Sequence, residues 1–246
     1  MNKKIGVFDS GIGGLTTLEE IRALLPNEDY IFYADSKNNP YGSKTTEELY
    51  EIVCEIVDFL ISRDVKIIVI ACNTATTKCI SKLREDYPDM IFIGTEPAIK
   101  VACDNNYKNT LVIATPGTIA SERTQELLVK NKKDNENIEL IACDNLANAI
   151  ENYDNKKIDE ILHKYFDKYK DINIDAVVLG CTHYPIIKDK IQKFFKNAVL
   201  IDGNKGVAKQ VKYQLEKNNL LSTRETKGSI DFLQTKNDWK TIIFLL

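Results

Sequence analysis

The sequence predicts an α/β protein made of two similar α/β domains with largely parallel sheets. Three observations carry this reading. Apolar β-forming runs alternate with helix-length segments along the chain, the pattern of parallel sheets wrapped by helices. The runs are continuous rather than alternating in polarity, as expected of strands buried on both faces. The chain also nearly repeats itself. Ile68-Val69-Ile70-Ala71-Cys72-Asn73-Thr74 has a counterpart in Val177-Val178-Leu179-Gly180-Cys181-Thr182-His183. Ile5-Gly6-Val7-Phe8-Asp9-Ser10-Gly11 has one in Leu111-Val112-Ile113-Ala114-Thr115-Pro116-Gly117. From Asp9 to Cys72 is 63 positions and from Thr115 to Cys181 is 66, so the paired segments recur in one order at similar spacing.

The elements follow in order. A strand at 4–8 breaks into Asp9-Ser10-Gly11-Ile12-Gly13-Gly14 and feeds a helix over 14–25. The strand at 30–34 is aromatic and β-branched, residue types that fit a pleated, buried surface. A short loop containing Asp35 leads to the turn Asn39-Pro40-Tyr41-Gly42-Ser43-Lys44-Thr45 and a helix over 44–63. Ser43 or Thr45 suits its N-cap. The strand at 66–71 ends at Cys72, with a helix over 74–86, a strand at 90–94 and a helix over 96–105 behind it. The second half reads as strands at 110–114, 138–142, 175–180 and 198–201, with helices over 118–131, 145–151, 156–170 and 185–195. A last helix spans 205–218. With boundaries near Glu96-Pro97 and Asp202-Gly203, residues 1–96 with 205–246 are expected to form the first domain and 97–204 the second. The terminal Ile242-Ile243-Phe244-Leu245-Leu246 is too apolar for a free tail and is expected to be buried.

Bulk properties narrow the function. The 246 residues are 43% hydrophobic and 28% charged, ordinary for a globular protein. Net charge is −3, so there is no basic footprint for nucleic acid. Lys130, Lys132 and Lys133 are interrupted by Asp134 and Glu136 and read as a solvated stretch. No apolar run is long enough for a signal peptide or a membrane span, and a cytoplasmic protein with no membrane partner is expected. The six cysteines are then expected to be reduced. They form no CxxC pair, and with only His163 and His183 no zinc spacing arises. No metal and no cofactor are expected. Cys54, Cys79 and Cys103 sit in helical patterns and read as small buried hydrophobes.

Cys72 and Cys181 stand apart from these. Ligands of open α/β sheets bind beyond the carboxyl ends of the strands, and each thiol sits at such an end before a helix start. Helix N-termini and neighbouring cations favour the thiolate, and His183 is two residues from Cys181. Packing alone explains one buried cysteine at a strand end, but it explains a matched pair poorly. The other motifs are weaker by themselves. Asp9-Ser10-Gly11-Ile12-Gly13-Gly14 fails both GxGxxG and the P-loop pattern. Its glycines still admit an anion to a helix N-terminus, though Asp9 or Ser10 alone would read as a cap. Pro40-Tyr41-Gly42 alone would read as an ordinary turn.

Taken together, Asp9-Ser10-Gly11-Ile12-Gly13-Gly14, Pro40-Tyr41-Gly42, Ala71-Cys72-Asn73-Thr74-Ala75 and Gly180-Cys181-Thr182-His183-Tyr184-Pro185 resemble the glutamate racemases of the aspartate/glutamate racemase superfamily. The resemblance runs from residue 5 to about 205 in the family's order. It implies two pseudo-symmetric α/β domains with the active site in the cleft between them. It implies a cofactor-independent isomerase that supplies D-glutamate for peptidoglycan. Cys72 and Cys181 would be its acid/base residues, with Asp9 supporting the first and His183 the second. Glu151 would be the counterpart of a glutamate that assists the second cysteine. Asp9, Ser10, Pro40, Tyr41, Gly42, Ser43, Asn73, Thr74, Thr115, Thr118, Thr182 and His183 would bind substrate. The implied partner is small-molecule glutamate, and a homodimer is left open.

The chemistry suits two thiols. Inverting a stereocentre by proton transfer needs removal on one face and delivery on the other, and one fixed base would return the proton to the face it left. The alternatives are a superfamily racemase acting on aspartate or another amino acid, an amino-acid-binding paralogue without turnover, and a redox protein with a Cys72–Cys181 disulfide. Retention of both cysteines disfavours simple binding, and a cytosolic setting disfavours the disulfide.

Overall fold

The computed structural model describes residues 3–235. The chain divides into two compact units: the residues up to Thr95 together with the segment that starts at Asn204, and Glu96–Gly203.

In the first unit run β1 (Lys4–Asp9), α1 (Leu15–Leu24), β2 (Tyr30–Ala34), α2 (Thr46–Ser62), β3 (Val65–Ile70), α3 (Asn73–Asp86) and β4 (Phe92–Gly94). The second unit holds α4 (Ile99–Asp104), β5 (Asn109–Ala114), α5 (Pro116–Ile119), α6 (Glu122–Asn131), β6 (Asn137–Ala142), α7 (Leu146–Glu151), α8 (Asn155–Phe166), β7 (Ala176–Gly180), α9 (Lys188–Phe194) and β8 (Val199–Ile201). The chain then returns to the first unit with α10 (Asn204–Lys217) and β9 (Ile230–Gln234). Each unit has one all-parallel sheet, in the orders β4-β3-β1-β2-β9 and β6-β5-β7-β8. Apart from β9 the two orders are the same: β1, β2, β3 and β4 correspond to β5, β6, β7 and β8.

The continuous apolar runs are explained by burial on both faces. In the first sheet Phe8, Ile31, Tyr33, Ile68 and Ile70 point toward α2 and α3. Their neighbours Val7, Tyr30, Phe32, Ile67 and Val69 point toward α1 and α10. The second sheet divides likewise, with Leu111, Ile113, Val177 and Leu179 against α7, α8 and α9, and Val112, Ala176 and Val178 against α4. Helix α2 buries Leu49, Val53, Ile56, Val57 and Leu60 along one stripe. Of the two expected caps it uses Thr45, in a capping box with Glu48.

Several elements differ from expectation. The helix expected over 118–131 is two, because Thr115 caps α5 and Ser121 caps α6. Helix α8 ends at Phe166 and tightens into a 3-10 turn over Asp167–Tyr169. Another 3-10 turn, Tyr184–Ile187, precedes α9. Strand β9 was not expected. It pairs in parallel with β2 at the sheet edge. The expectation for Ile242–Leu246 lies outside the described residues. Among the described residues no helix is long and apolar enough to cross a membrane.

The segment between α10 and β9 is tied to the first unit by charge. Lys66 Nζ donates to Glu28 Oε2 at 2.6 Å and to the Leu220 carbonyl at 2.6 Å, while Ser222 N donates to Glu28 Oε1 at 2.7 Å. Both ion-pair side chains are buried. Gly228 is required by close approach, because a Cβ there would lie 1.7 Å from the Glu28 carbonyl oxygen.

Candidate active site

Each unit collects its predicted site residues at the carboxyl ends of three adjacent strands. In the first unit these are β3, β1 and β2.

Cys72 follows β3 and caps α3, its sulfur accepting from the Ala75 amide at 3.5 Å. That amide and the helix dipole behind it favour negative charge on sulfur. Ser10 Oγ lies 3.9 Å from the same sulfur. Asn73 and Thr74 are buried in the first turn of α3. Among the described residues no hydrogen-bond partner is found for Asn73 Oδ1, and such a buried acceptor is costly unless a ligand satisfies it. Asp9 ends β1, is fully buried, and accepts from the Gly14 amide at 2.7 Å. The helix start must come this close, since a Cβ on Gly14 would lie 2.6 Å from Asp9 Cβ.

After β2, Tyr41 is buried and donates its phenol proton to Asp35 Oδ2 at 2.7 Å. Burial first, and then the Asp35 carboxylate, push this phenol well above its ordinary pKa. Cys72 and Asp9 add to the shift, which places Tyr41 within electrostatic reach of both. Gly42 is half-buried beside it, whereas Pro40 and Ser43 are exposed. Ser43 Oγ donates to the Pro40 carbonyl at 3.0 Å, so these two shape the turn.

In the second unit the strands are β7, β5 and β6. Cys181 follows β7 but does not cap a helix: the next turn starts at Tyr184, with His183 at its N-cap position. The expectation that both thiols directly precede helix starts therefore holds for Cys72 only. Cys181 is partnered instead by His183, whose Nδ1 lies 3.8 Å from the sulfur. His183 Nε2 lies 2.7 Å from Glu151 Oε2, and both side chains are buried. Glu151 ends α7, whose Leu146, Ala149 and Ile150 pack into the core and fix the helix. A carboxylate on Nε2 holds the proton there and leaves Nδ1 as an acceptor toward the thiol. Thr182 is buried beside them. After β5, Thr115 Oγ1 accepts from the Thr118 amide at 3.3 Å and lies 3.0 Å from Thr118 Oγ1.

Cys143, after β6, has no such arrangement. It is packed in the core, and burial pushes its thiol up to about 12. Cys79 rises to about 12 and Cys103 to about 11 for the same first reason. Asp35 was missed as a site residue, since a lone acid in a loop carries no sequence signal.

Among the described residues no group of three or more His, Cys, Asp or Glu is arranged to hold a metal ion. A cavity of about 640 Å³ in the second unit is lined by His163, Lys170, Lys190, Phe194 and others, and contains none of the predicted site residues. A cavity by itself is only a default candidate for a ligand site. The chemistry gathered at the strand ends outweighs it here.

Two repeated parallel sheets each place a thiol with a polar neighbour at an equivalent strand end. Residues 14–211 match the model of the Asp/Glu/Hydantoin racemase family. A glutamate racemase of Clostridium botulinum (strain Alaska E43 / Type E3) is 41% identical over 245 residues, covering 98% of this chain and 95% of that protein. The crystal structure of glutamate racemase from Francisella tularensis subsp. tularensis SCHU S4 in complex with D-glutamate has a TM-score of 0.82 at 34% identity, over 96% of this chain and 89% of that one. The Escherichia coli glutamate racemase, in complex with L-glutamate and the activator UDP-MurNAc-ala, has a TM-score of 0.79 at 30% identity, over 95% and 88%. The chain belongs to the Asp/Glu/Hydantoin racemase family, among its glutamate racemases, and is an isomerase.

Proposed function

We propose that this chain interconverts L- and D-glutamate by proton transfer at Cα, without a cofactor, using Cys72 on one face of the substrate and Cys181 on the other. The observation that carries the reading is the Glu151–His183–Cys181 chain, a buried carboxylate and imidazole spent on one thiol. Binding alone needs no such relay. Crystal structures of similar proteins with D- and L-glutamate support glutamate as the small-molecule substrate.

In the L-to-D direction Cys181 enters as thiolate and Cys72 as thiol. Cys181 takes the α-proton, leaving a carbanion at Cα, and Cys72 delivers its proton to the opposite face. The thiol and thiolate roles are then exchanged, which is the state needed for D-glutamate. His183, held by Glu151, accepts the Cys181 proton when the thiolate is set. Asp9 and Ser10 serve Cys72 from the neighbouring strand end, and the Ala75 amide favours its thiolate. Asn73, Thr74, Thr115, Thr118, Thr182, Tyr41 and Gly42 supply hydroxyl, amide and backbone groups for the two carboxylates and the ammonium. Such donors stabilise the developing negative charge best where water is excluded. Pro40 and Ser43 shape the Tyr41 turn.

The product would feed peptidoglycan synthesis in the cytoplasm, and assembly as a homodimer is compatible with the reading. The test is racemisation of glutamate followed by circular dichroism, with aspartate as control and no pyridoxal phosphate or metal added. Loss of signal from L-glutamate toward zero ellipticity supports the reading. Turnover of aspartate alone, or of glutamate only after cofactor addition, refutes it.

A further inference from the structure

We propose that Asp35 and Thr235 are positioning residues that hold Tyr41 in place for substrate, with β9 acting as the latch. The inference rests on the reading that Tyr41 lines a glutamate site.

The loop that leads from β2 to Tyr41 is pinned by a strand from the far end of the chain. Asp35 is almost fully buried. Its carboxylate accepts from the Tyr41 phenol at 2.7 Å, from Asn38 Nδ2 at 2.9 and 3.1 Å, and from Thr235 Oγ1 at 2.9 Å. Thr235 contributes twice more: its amide donates to the Ala34 carbonyl at 3.1 Å, and its hydroxyl accepts from the Lys37 amide at 3.0 Å. Gln234 Nε2 donates to Ser36 Oγ at 2.9 Å. Every residue from Ala34 to Lys37 except Asp35's backbone is thus met by Gln234 or Thr235, and Asp35 is met through its side chain.

The bond direction decides what Tyr41 can offer. Its single proton is committed to Asp35, so the phenol oxygen has only acceptor capacity left to offer. An acceptor near Cys72 suits the ammonium of an amino acid. Without Asp35 fixed, the phenol would turn and present its proton instead. The second unit shows that β9 is not needed to complete a sheet of this topology. There β6, the counterpart of β2, is an edge strand among the described residues, and the four-stranded sheet is complete without a fifth.

The test compares Thr235→Val, Thr235→Ser, Tyr41→Phe and the Val/Phe double variant in the full-length chain. Removing both hydrogen bonds of the hydroxyl, to the buried Asp35 carboxylate and from the Lys37 amide, by Thr235→Val should raise KM for glutamate about tenfold and leave kcat within about threefold. Thr235→Ser keeps the hydroxyl and should return KM to within about twofold of the parent. In the Tyr41→Phe background Thr235→Val should add less than about twofold, because both act through one phenol. Additive effects, or an unchanged KM in Thr235→Val, overturn the proposal. Hydrogen exchange of residues 35–43 supplies a readout that needs no substrate: protection should fall in Thr235→Val and recover in Thr235→Ser, and unchanged protection overturns the latch. If the parent chain does not racemise glutamate at all, the proposed function fails, while the exchange experiment still decides whether the latch exists.

Discussion

The two units repeat one sheet but support their thiols differently. In the first, Cys72 is served by backbone: it caps α3 and accepts from the Ala75 amide. In the second, Cys181 caps nothing and is served by side chains, His183 and Glu151. The buried ion pairs divide the same way. The first unit's Lys66–Glu28 pair ties down the returning C-terminal segment, at the opposite end of β3 from Cys72. The second unit's His183–Glu151 pair lies against the thiol itself, with His183 Nδ1 3.8 Å from the Cys181 sulfur. The lesson is that duplication fixes where chemistry can sit, namely beyond the carboxyl ends of the strands at positions 1, 2 and 3 of each repeat. It does not fix which groups tune it. Tyr41 and Glu151 make the point, since both follow the second strand of their repeat and do unrelated work.

The largest expected effect tests what the halves share. Cys72→Ala and Cys181→Ala should each lower glutamate racemisation by about a thousandfold or more, within the usual reach of general acid–base catalysis. Cys→Ser should be nearly as damaging, because a hydroxyl ionises far less readily. Near-normal racemisation by either Ala variant, measured by circular dichroism, would show that the halves are not equal partners.

The next effect separates the two ion pairs. Lys66→Met leaves the Glu28 carboxylate buried without its cation and should cost about 3–5 kcal/mol of stability. Turnover per folded molecule should be unaffected. Glu151→Gln should do the reverse, with a large loss of kcat and a small loss of stability. Denaturant unfolding alongside steady-state assays measures both, and a stability loss in Glu151→Gln as large as that of Lys66→Met would break the distinction.

A subtler effect distinguishes the faces. The enantiomers are isoenergetic in achiral solvent, so kcat/KM in the two directions must fall together in any variant. The asymmetry lies in which proton transfer limits the rate. With α-deuterated substrates, His183→Asn should enlarge the primary isotope effect mainly from L to D, where Cys181 takes the proton. Asp9→Asn should do so mainly from D to L. Equal changes in both directions for both variants would assign these residues to binding instead.

The smallest effect concerns the C-terminal segment of the first unit. Burial raises the pKa of Asp29, but hydrogen bonds from Arg224 and Ser229 more than offset it and hold the group at about 2, against an ordinary 3.8. A depressed carboxylate contributes stability above its unfolded pKa and loses it as pH falls through the folded one. The contribution is therefore full above about pH 4 and fades toward pH 2. Hydrogen exchange should show residues 222–229 loosening in that window, and Asp29→Asn should remove the pH dependence.

Much of this was legible in the sequence, for physical reasons. Strands buried on both faces leave continuous apolar runs, so Ile67–Ile70 and Val177–Leu179 are plain. Thiols at their ends are plain for the same reason. Strand β9 was not legible, because an edge strand carrying Asp231 and Gln234 has no apolar run to reveal it. The break at Ser121 was hidden by helical periodicity on both sides, although Ser121 and Thr115 are both good caps. Glu151 was reachable only through the family resemblance, since nothing local links it to His183, 32 positions away. Asp35 was missed because its meaning depends on Thr235, 200 positions away.

One thiol on each face of Cα leaves a signature in solvent deuterium. L-glutamate is incubated with the enzyme in D2O, and both enantiomers are recovered at low conversion and examined by mass spectrometry. Two thiols on opposite faces should give D-glutamate that carries deuterium at Cα and residual L-glutamate that still carries protium, with the mirror result starting from D-glutamate. Product that keeps the original proton, or residual substrate that gains deuterium as fast as product forms, would mean a single base working both faces and would rule out a thiol on each.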